Sequence, residues 1–412
     1  MSATGRFGPA RIISLDISAP PVRPARIDAD TGRTHYWAWC LLWAGDRPTG
    51  ELIVDIPAHG LDPEDLRLAI TGADLVRRPD PVLDPLATPP VTVVIATRDR
   101  PDMLRAALAS VLSAKYDELE VLVVDSASRS TATTEVVASV SATDPRVRGI
   151  RSEIPGLAVA HNAALPFVDT PLVAFTDDDV EVDSRWLLGL ADGFASGPDV
   201  ACVTGMIAPA RLDTEVQRWI EISAGFNKGF ERRIFDLGAN RPADPLFPFT
   251  AGQLGSGANM AFRTDALRDI GGFDPALGAG TLARGGDDLA SFVSTLVAGH
   301  QLVYEPTAVV FHRHHRTRHD LRNQMRSYGA GFTAFLSSSL VAHPSLVPQL
   351  LRRLPAGIGH AVSPASAKNG RVADEVPGWF GPLELFGMIE GPVHYARSRR
   401  RLRRLSTEPV RP

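Results

Sequence analysis

The sequence predicts an α/β fold, with a mostly parallel sheet covered by helices on both faces, and three observations carry that expectation. Apolar runs of strand length recur at Val91 to Ala96, Glu120 to Val124 and Leu172 to Phe175. They are continuous rather than alternating, as in strands buried on both faces. A stretch with helical apolar spacing, Pro101 to Leu112, separates the first two, as a crossover between parallel strands requires.

Composition sets the outer bounds. The 412 residues are 44% hydrophobic and 22% charged, with a formal net charge of -4. These are ordinary values for a soluble globular chain. The length allows two or three domains and a core that needs no disulfide staples. A near-neutral charge balance gives no basic coat for nucleic acid, so no nucleic-acid partner is expected. The only cysteines are Cys40 and Cys202, which excludes a zinc site built on cysteine pairs and a disulfide framework. Met1 to Ala10 lacks the apolar core of a secretory signal. No apolar run reaches the roughly 20 residues of a bilayer span. The nearest, Gly329 to Val347, is broken by serines, His343 and Pro344, and reads as a soluble or interfacial helix. A cytoplasmic location is the expectation.

Three regions follow in order. Residues 1–88 are rich in Pro and Asp, with an aromatic cluster at Tyr36, Trp37 and Trp39 that reads as core. There Glu51 to Ile56 alternates as a strand, His59-Gly60 turns, and Asp62-Pro63 starts a helix with Asp62 as its cap. This is a small α+β module, closed by a proline-rich linker from Arg77 to Pro90. Residues 89–320 hold the alternating strands and helices. Residues 321–412 read as a helical region whose end, Arg397 to Arg404, has six arginines in eight residues. That end is either solvated and partly disordered or a cationic contact for anionic lipid.

In parallel sheets ligands bind beyond the carboxyl ends of the strands. Thr97-Arg98-Asp99-Arg100 follows the first strand, Asp125-Ser126-Ala127-Ser128 the second, and Asp177-Asp178-Asp179 the third. Asp125 alone is an ordinary helix or turn cap. Three adjacent carboxylates repel one another unless a cation or solvent relieves them, and their oxygens suit Mg2+ or Mn2+. The alternative is an exposed acidic turn. Farther on, Arg284-Gly285-Gly286-Asp287-Asp288 is an acidic pair in a flexible loop, and Val309-Val310-Phe311 leads into His312-Arg313-His314-His315. Gly255 to Phe262 is a small-residue turn entering a strand.

Taken in this order, the features resemble the inverting family-two glycosyltransferases of bacterial type, whose GT-A fold has a Rossmann-like sheet. The resemblance covers about residues 90–320. It implies that Thr97, Arg98, Asp99 and Arg100 form the nucleotide loop and that Asp125 meets the nucleobase. Gly156, His161, Asn162 and Asp178 would lie beside the donor, with His161 standing where the family usually has Arg. Asp177 and Asp179 match the acids of the DxD motif, and His312 the histidine that completes the metal site for Mg2+ or Mn2+. Gly257, Ala258 and Asn259, with Gly272-Phe273-Asp274, resemble acceptor-side segments. Asp287-Asp288 sits where the family normally has Glu-Asp, which makes Asp288 the base, with Asp287 beside it to tune its pKa.

The activity so implied is metal-dependent, inverting transfer of a hexosyl or deoxyhexosyl group. The donor would be a nucleotide-diphosphate sugar, UDP- or dTDP-linked. The acceptor would be a hydroxyl of a glycan, a lipid-linked sugar, a glycolipid or a small-molecule glycoside. Peripheral contact with the inner membrane face would come from the arginine-rich end. Three other readings compete. A sugar-phosphate nucleotidyltransferase is opposed by Thr97 to Pro101, which lacks a glycine-rich phosphate loop with a following Lys. A non-catalytic sugar-nucleotide-binding protein is opposed by an intact Asp288. A metallohydrolase built on Asp177, Asp179 and His312 would turn over substrate without any nucleotide.

Overall fold

The chain is described by a computed structural model over residues 8–19, 24–28, 31–76, 88–362 and 376–407. Three strands come first: β1 (Ala10–Asp16), β2 (Trp37–Ala44) and β3 (Arg47–Asp55). β1 pairs parallel with β2, and β2 antiparallel with β3. Helix α1 (Pro63–Thr71) follows. The Asp62 side chain accepts from the Glu64 amide at 2.8 Å, and Pro63 fills the first turn, where its missing N–H costs nothing. Most of the expected linker, residues 77–87, lies outside the described residues.

The indoles of Trp37, Trp39 and Trp43 pack with Met206, Ala208 and Val309 of the next sheet. They form a seam between the two sheets rather than a sugar platform. The Ala10 amide donates to Leu212 O at 2.9 Å beside that seam. Arg47 of β3 lies 3.7 Å from Asp192, which also meets Arg232, itself paired with the buried Glu305.

The large sheet begins with β4 (Val91–Thr97), α2 (Pro101–Leu112), β5 (Leu119–Ser126), α3 (Ala132–Ser141), β6 (Val147–Ser152) and α4 (Leu157–Ala164). It continues through β7 (Leu172–Asp177), β8 (Val180–Val182), α5 (Trp186–Phe194), β9 (Val200–Pro209), α6 (Glu215–Ala224) and β10 (Arg233–Phe235). Then come β11 (Asn259–Arg263), α7 (Thr264–Asp269), α8 (Asp287–Val297) and β12 (Gln301–His312). Nine strands pair in the order β10-β12-β9-β11-β7-β4-β5-β6, with β8 added beside β12. Strands β4, β5, β6, β7, β9 and β12 run one way, and β8, β10 and β11 run against them.

Both faces are covered, which is why the strands read as unbroken apolar runs. Val91, Val93 and Ile95 of β4 pack with Leu104, Leu108 and Val111 of α2 and with Trp186 and Phe194 of α5. Val94 and Ala96 point the other way, into a cluster with Phe292 and Val293 of α8 and Ala334 and Phe335 farther along. Cys40 and Cys202 are buried and unbonded.

The C-terminal region is helical: α9 (Arg318–Ala342), α10 (Val347–Val362) and α11 (Phe380–Thr407). Arg326 of α9 pairs with Glu390 of α11, at 2.7 Å through Nε. Ser338 of α9 and Tyr395 of α11 both donate to Asp274 Oδ2, which ties the helix pair to the segment after α7. The arginine-rich end is not a loose tail up to Thr407: Arg397 to Arg404 continue α11, with Ser398 buried and Arg397, Arg400, Arg401 and Arg404 exposed. Among the described residues no single helix is long and apolar enough to cross a membrane.

Candidate active site

The register of the sheet brings the strand ends together. Thr97 of β4 pairs with Asp125 of β5, and Ala96 pairs with Asp177 of β7. Three polar strand ends thus share one edge of the sheet, where a ligand meets helix N-termini and exposed backbone.

The acidic triplet is not a solvated turn. Asp178 is buried and turns back into the sheet, accepting from Thr97 Oγ1 at 2.7 Å and from Arg100 at 2.9 Å. Asp179 accepts from the same guanidinium at 3.0 Å and lies 3.4 Å from His312 Nε2. Burial raises the Asp179 carboxyl, but His312 and then Arg100 outweigh it and hold the group at about 2. Asp177 goes the other way: burial, then the charge of Asp179, pushes it up to about 7. His312 is raised, because Asp179 and Asp177 together outweigh the burial that would lower it.

Carboxylate oxygens and an imidazole are the donor types that a divalent cation takes. Asp177 lies close enough to Asp179 for that charge to raise it, and two basic side chains, Arg100 and His312, lie against Asp179. Among the described residues no group of three or more His, Cys, Asp or Glu side chains is arranged to hold a metal ion.

The loop around Asp99 is tightly built. Asp99 has φ 55°, takes Ser128 Oγ on its amide at 3.0 Å and accepts from the Arg129 amide at 2.7 Å. Arg98 is exposed, 3.9 Å from Asp99. Asp125 is buried, with Oδ1 accepting from the Ser128 amide at 2.9 Å and Oδ2 from Arg151 at 2.7 Å. The first of these bonds is the turn-capping role that a lone Asp commonly has. Gly156 begins α4, and its amide donates to Ser126 Oγ at 3.2 Å.

Three further residues expected beside ligands are held by packing and backbone contacts. His161 is 1% exposed and packs between Phe175 and Phe273, with ring centroids at 4.8 and 5.0 Å. Neither of its ring nitrogens has a hydrogen-bond partner among the described residues, and burial lowers its pKa to about 3. It is a neutral ring in an aromatic core. Asn162 clamps the Phe273 backbone, donating to its carbonyl at 2.7 Å and accepting from its amide at 2.9 Å. Asn259 is fully buried, accepting from Trp186 Nε1 at 2.8 Å and donating to Met206 O and Ala308 O at 2.9 and 2.8 Å. With its polar atoms so engaged, it ties α5, β9 and β12 to β11 and does not face an acceptor.

Gly257 and the Asp pair do meet. Asp288 Oδ2 accepts from the Gly257 amide at 2.8 Å, and Oδ1 from the Leu289 amide at 2.8 Å. Ala258 is buried next to this contact. Gly286 precedes the pair at φ 85°, the left-handed region that glycine enters freely, and a Cβ there would stand 2.5 Å from Gly331 O of α9. Burial raises both carboxyls; that of Asp287, with Asp288 beside it, reaches about 8. Lys228, also charge-coupled to Asp288, is lowered to about 8 by burial and by Arg233. Nothing in the sequence near Lys228 marks it.

The mostly parallel sheet covered by helices on both faces is a GT-A-like fold. Residues 92–271 match the family model described as Glycosyl transferase family 2. Pre-mycofactocin glycosyltransferases of two Mycobacterium tuberculosis strains are 29% identical over 262 residues, 63% of this chain. The chain spans about half the length of these curated relatives, 50%. A mannosyltransferase from Pyrobaculum calidifontis, solved with GDP-Man and Mn2+, superposes with a TM-score of 0.50 at 18% identity. That match covers 76% of this chain and 90% of the other, and at such low identity it speaks for the fold alone.

Proposed function

We propose that this protein transfers a glycosyl group from a nucleotide-diphosphate sugar to an acceptor hydroxyl, with inversion at the anomeric carbon. Asp288 carries this reading. Its carboxylate is held from both sides by backbone amides at 2.8 Å at the start of α8, so the group is fixed before substrate arrives. A half-buried carboxylate with a raised pKa is a competent general base. As the acceptor oxygen attacks the anomeric carbon, its proton passes to Asp288, and the bond from that carbon to the diphosphate oxygen breaks on the opposite face. Asp287, kept neutral by burial, leaves the negative charge to its neighbour.

Asp177, Asp179 and His312 would hold Mg2+ or Mn2+. When bound, the ion supplies the positive charge that stabilises the departing diphosphate. Thr97 and Arg100 grip Asp178 and so fix the acidic turn on β4. The exposed loop Arg98-Asp99-Arg100 and Asp125 form the nucleotide side. Arg151, whose side chain is 42% exposed, is free to turn away and release Asp125 Oδ2 to a nucleobase N–H of a UDP- or dTDP-sugar. The name of the Mycobacterium relatives makes pre-mycofactocin one candidate acceptor beside a glycan, a lipid-linked sugar or a small-molecule glycoside. The exposed arginines of α11 favour peripheral contact with an anionic membrane. The family 2 domain does not favour the nucleotidyltransferase alternative.

A thermal-shift panel of nucleotide sugars, with and without Mn2+, tests the reading, since a ligand of the native state raises apparent stability by mass action. A metal-dependent rise with one class of nucleotide-diphosphate sugar is expected, lost in Asp179→Asn. A panel in which no nucleotide sugar shifts the transition, with or without the ion, overturns it.

A further inference from the structure

Helix α9 lies directly on the loop that leads into the carboxylate pair. A methyl group added at Gly331 would stand 3.1 Å from Gly285 Cα, and one added at Gly286 would stand 2.9 Å from Phe335 Cβ. On its other side α9 meets α11 as closely, since a Cβ at Gly387 or Gly391 of α11 would run into the α9 backbone at Arg326 and Ala330. Helix α9 is thus clamped between the Gly285-Gly286 loop and α11, which fixes the side chains it presents beside Asp288.

Tyr328 is such a side chain. It stands three residues before Gly331, on the same side of the helix, and is 36% exposed. Gln324, one turn earlier, donates from Nε2 to the Tyr328 hydroxyl at 2.8 Å. That bond takes a lone pair of the phenol oxygen, and its proton has no acceptor among the described residues. Gln324 Oε1 is buried, also with no hydrogen-bond partner among the described residues. Burial raises the phenol pKa, and the charges of Glu384 and then Asp288 add to the rise, so the hydroxyl lies within the field of the base.

Asp288 has matching capacity. Its amide bonds use one lone-pair site on each oxygen, and an ionised carboxylate offers about four. An acceptor whose attacking hydroxyl meets Asp288 brings its neighbouring atoms to Tyr328. A partly exposed aromatic ring with a spare O–H suits a sugar: the apolar face of the sugar lies on the phenol, and a second hydroxyl oxygen accepts from it.

We propose that Tyr328 is a specificity-determining residue of the acceptor site, its O–H donating to a second hydroxyl oxygen of a sugar-ring acceptor while Gln324 holds the phenol in place. This rests on Asp288 as the base. Tyr328 lies beyond residues 92–271, so this acceptor contact comes from the C-terminal helices rather than from the segment that matches the family model.

The test uses the full chain with Mn2+ and a panel of nucleotide-diphosphate sugars, and follows release of the nucleotide diphosphate. The probes are methyl glycosides and their monodeoxy analogues, each lacking one hydroxyl. In the parent, kcat/KM is expected to fall roughly 2–10-fold for the analogue that lacks the hydroxyl meeting Tyr328. Tyr328→Phe keeps the ring, loses the O–H, and is expected to lose that discrimination. General damage to the site lowers both rates and leaves their ratio as it was, so the ratio separates recognition from folding. Gln324→Met, which removes the amide that orients the phenol, is expected to reduce the ratio as well. A ratio in Tyr328→Phe equal to that of the parent overturns the inference, as does a parent indifferent to every monodeoxy analogue. A parent that releases nucleotide diphosphate into water yet transfers to no methyl glycoside overturns it too, and leaves the donor reading standing. A parent that releases none from any nucleotide sugar, in water or with the probes, overturns the transferase reading and the inference with it.

Discussion

The Gly257 amide donates to Asp288 Oδ2 at 2.8 Å, and a methyl group added at Gly257 would stand 3.2 Å from Asp288 Cβ. The turn before β11 and the start of α8 are therefore fitted to each other, although 31 residues separate the partners. The fit leaves little freedom in where the carboxylate points.

Asp288→Asn is expected to lower turnover by roughly 10² or more while donor binding changes little, because an amide cannot take the acceptor proton. Initial rates and nucleotide affinity measured on the same preparation separate the two effects. If Asp287→Asn abolishes turnover and Asp288→Asn does not, the roles of the two residues are exchanged.

Gly257→Ala tests placement rather than chemistry. The added methyl presses on Asp288, and a displacement of the base by about 1 Å costs on the order of 10²-fold in rate. The expected outcome is a fall in kcat with the donor KM near the parent value. A parent-like kcat would mean that the turn yields without moving the carboxylate.

Asp287 carries a pH signature of known sign. Burial and then Asp288 raise its carboxyl from 3.8 to about 8, so the folded chain keeps a proton that the unfolded chain releases. Its contribution to stability is full below about pH 4 and is lost as the pH rises toward about 8. Asp287→Asn keeps the neutral form throughout. Its melting temperature relative to the parent should therefore climb by a few degrees between about pH 5 and about pH 8. An equal difference at both pH values would show that Asp287 ionises normally in the folded chain.

What was legible in the sequence follows from which interactions are local. Strands β4, β5 and β7 were readable because burial on both faces makes each an unbroken apolar run. Strands β8 and β10, three residues each, and the reversed direction of β11 depend on partners distant in sequence. The acidic triplet was readable because it ends an apolar strand. Asn259 was not, since a buried Asn that joins three elements and an exposed Asn that meets a ligand are the same letter. The packing of His161 was hidden for a related reason: its neighbours in space, Phe175 and Phe273, come from β7 and a distant loop. The contact of Glu221 with His314 spans 93 residues and leaves no local pattern.

Helix α11 carries two kinds of exposed surface along its length. Phe386, Ile389 and Val393 are 49%, 76% and 51% exposed, and the next turns present Arg397, Arg400, Arg401 and Arg404. Spacings of three and four residues bring these groups onto overlapping faces of one helix, apolar first and cationic after. An anionic bilayer would take both, since stable attachment usually needs two signals, and each Arg near such a surface contributes about 1 kcal/mol. Replacing Arg397, Arg400, Arg401 and Arg404 by Ser leaves the buried Ser398 and the half-buried Leu402 in place, so the helix keeps its inner face. That variant is expected to lose most of its co-sedimentation with vesicles rich in anionic lipid and to keep transfer to a soluble acceptor. Binding of the parent should weaken as salt shortens the Debye length. Ile389→Ser with Val393→Ser should weaken attachment while preserving its salt dependence, because it removes the apolar signal alone. Equal sedimentation of the arginine variant and the parent, or parent binding insensitive to salt, would reject α11 as the attachment surface.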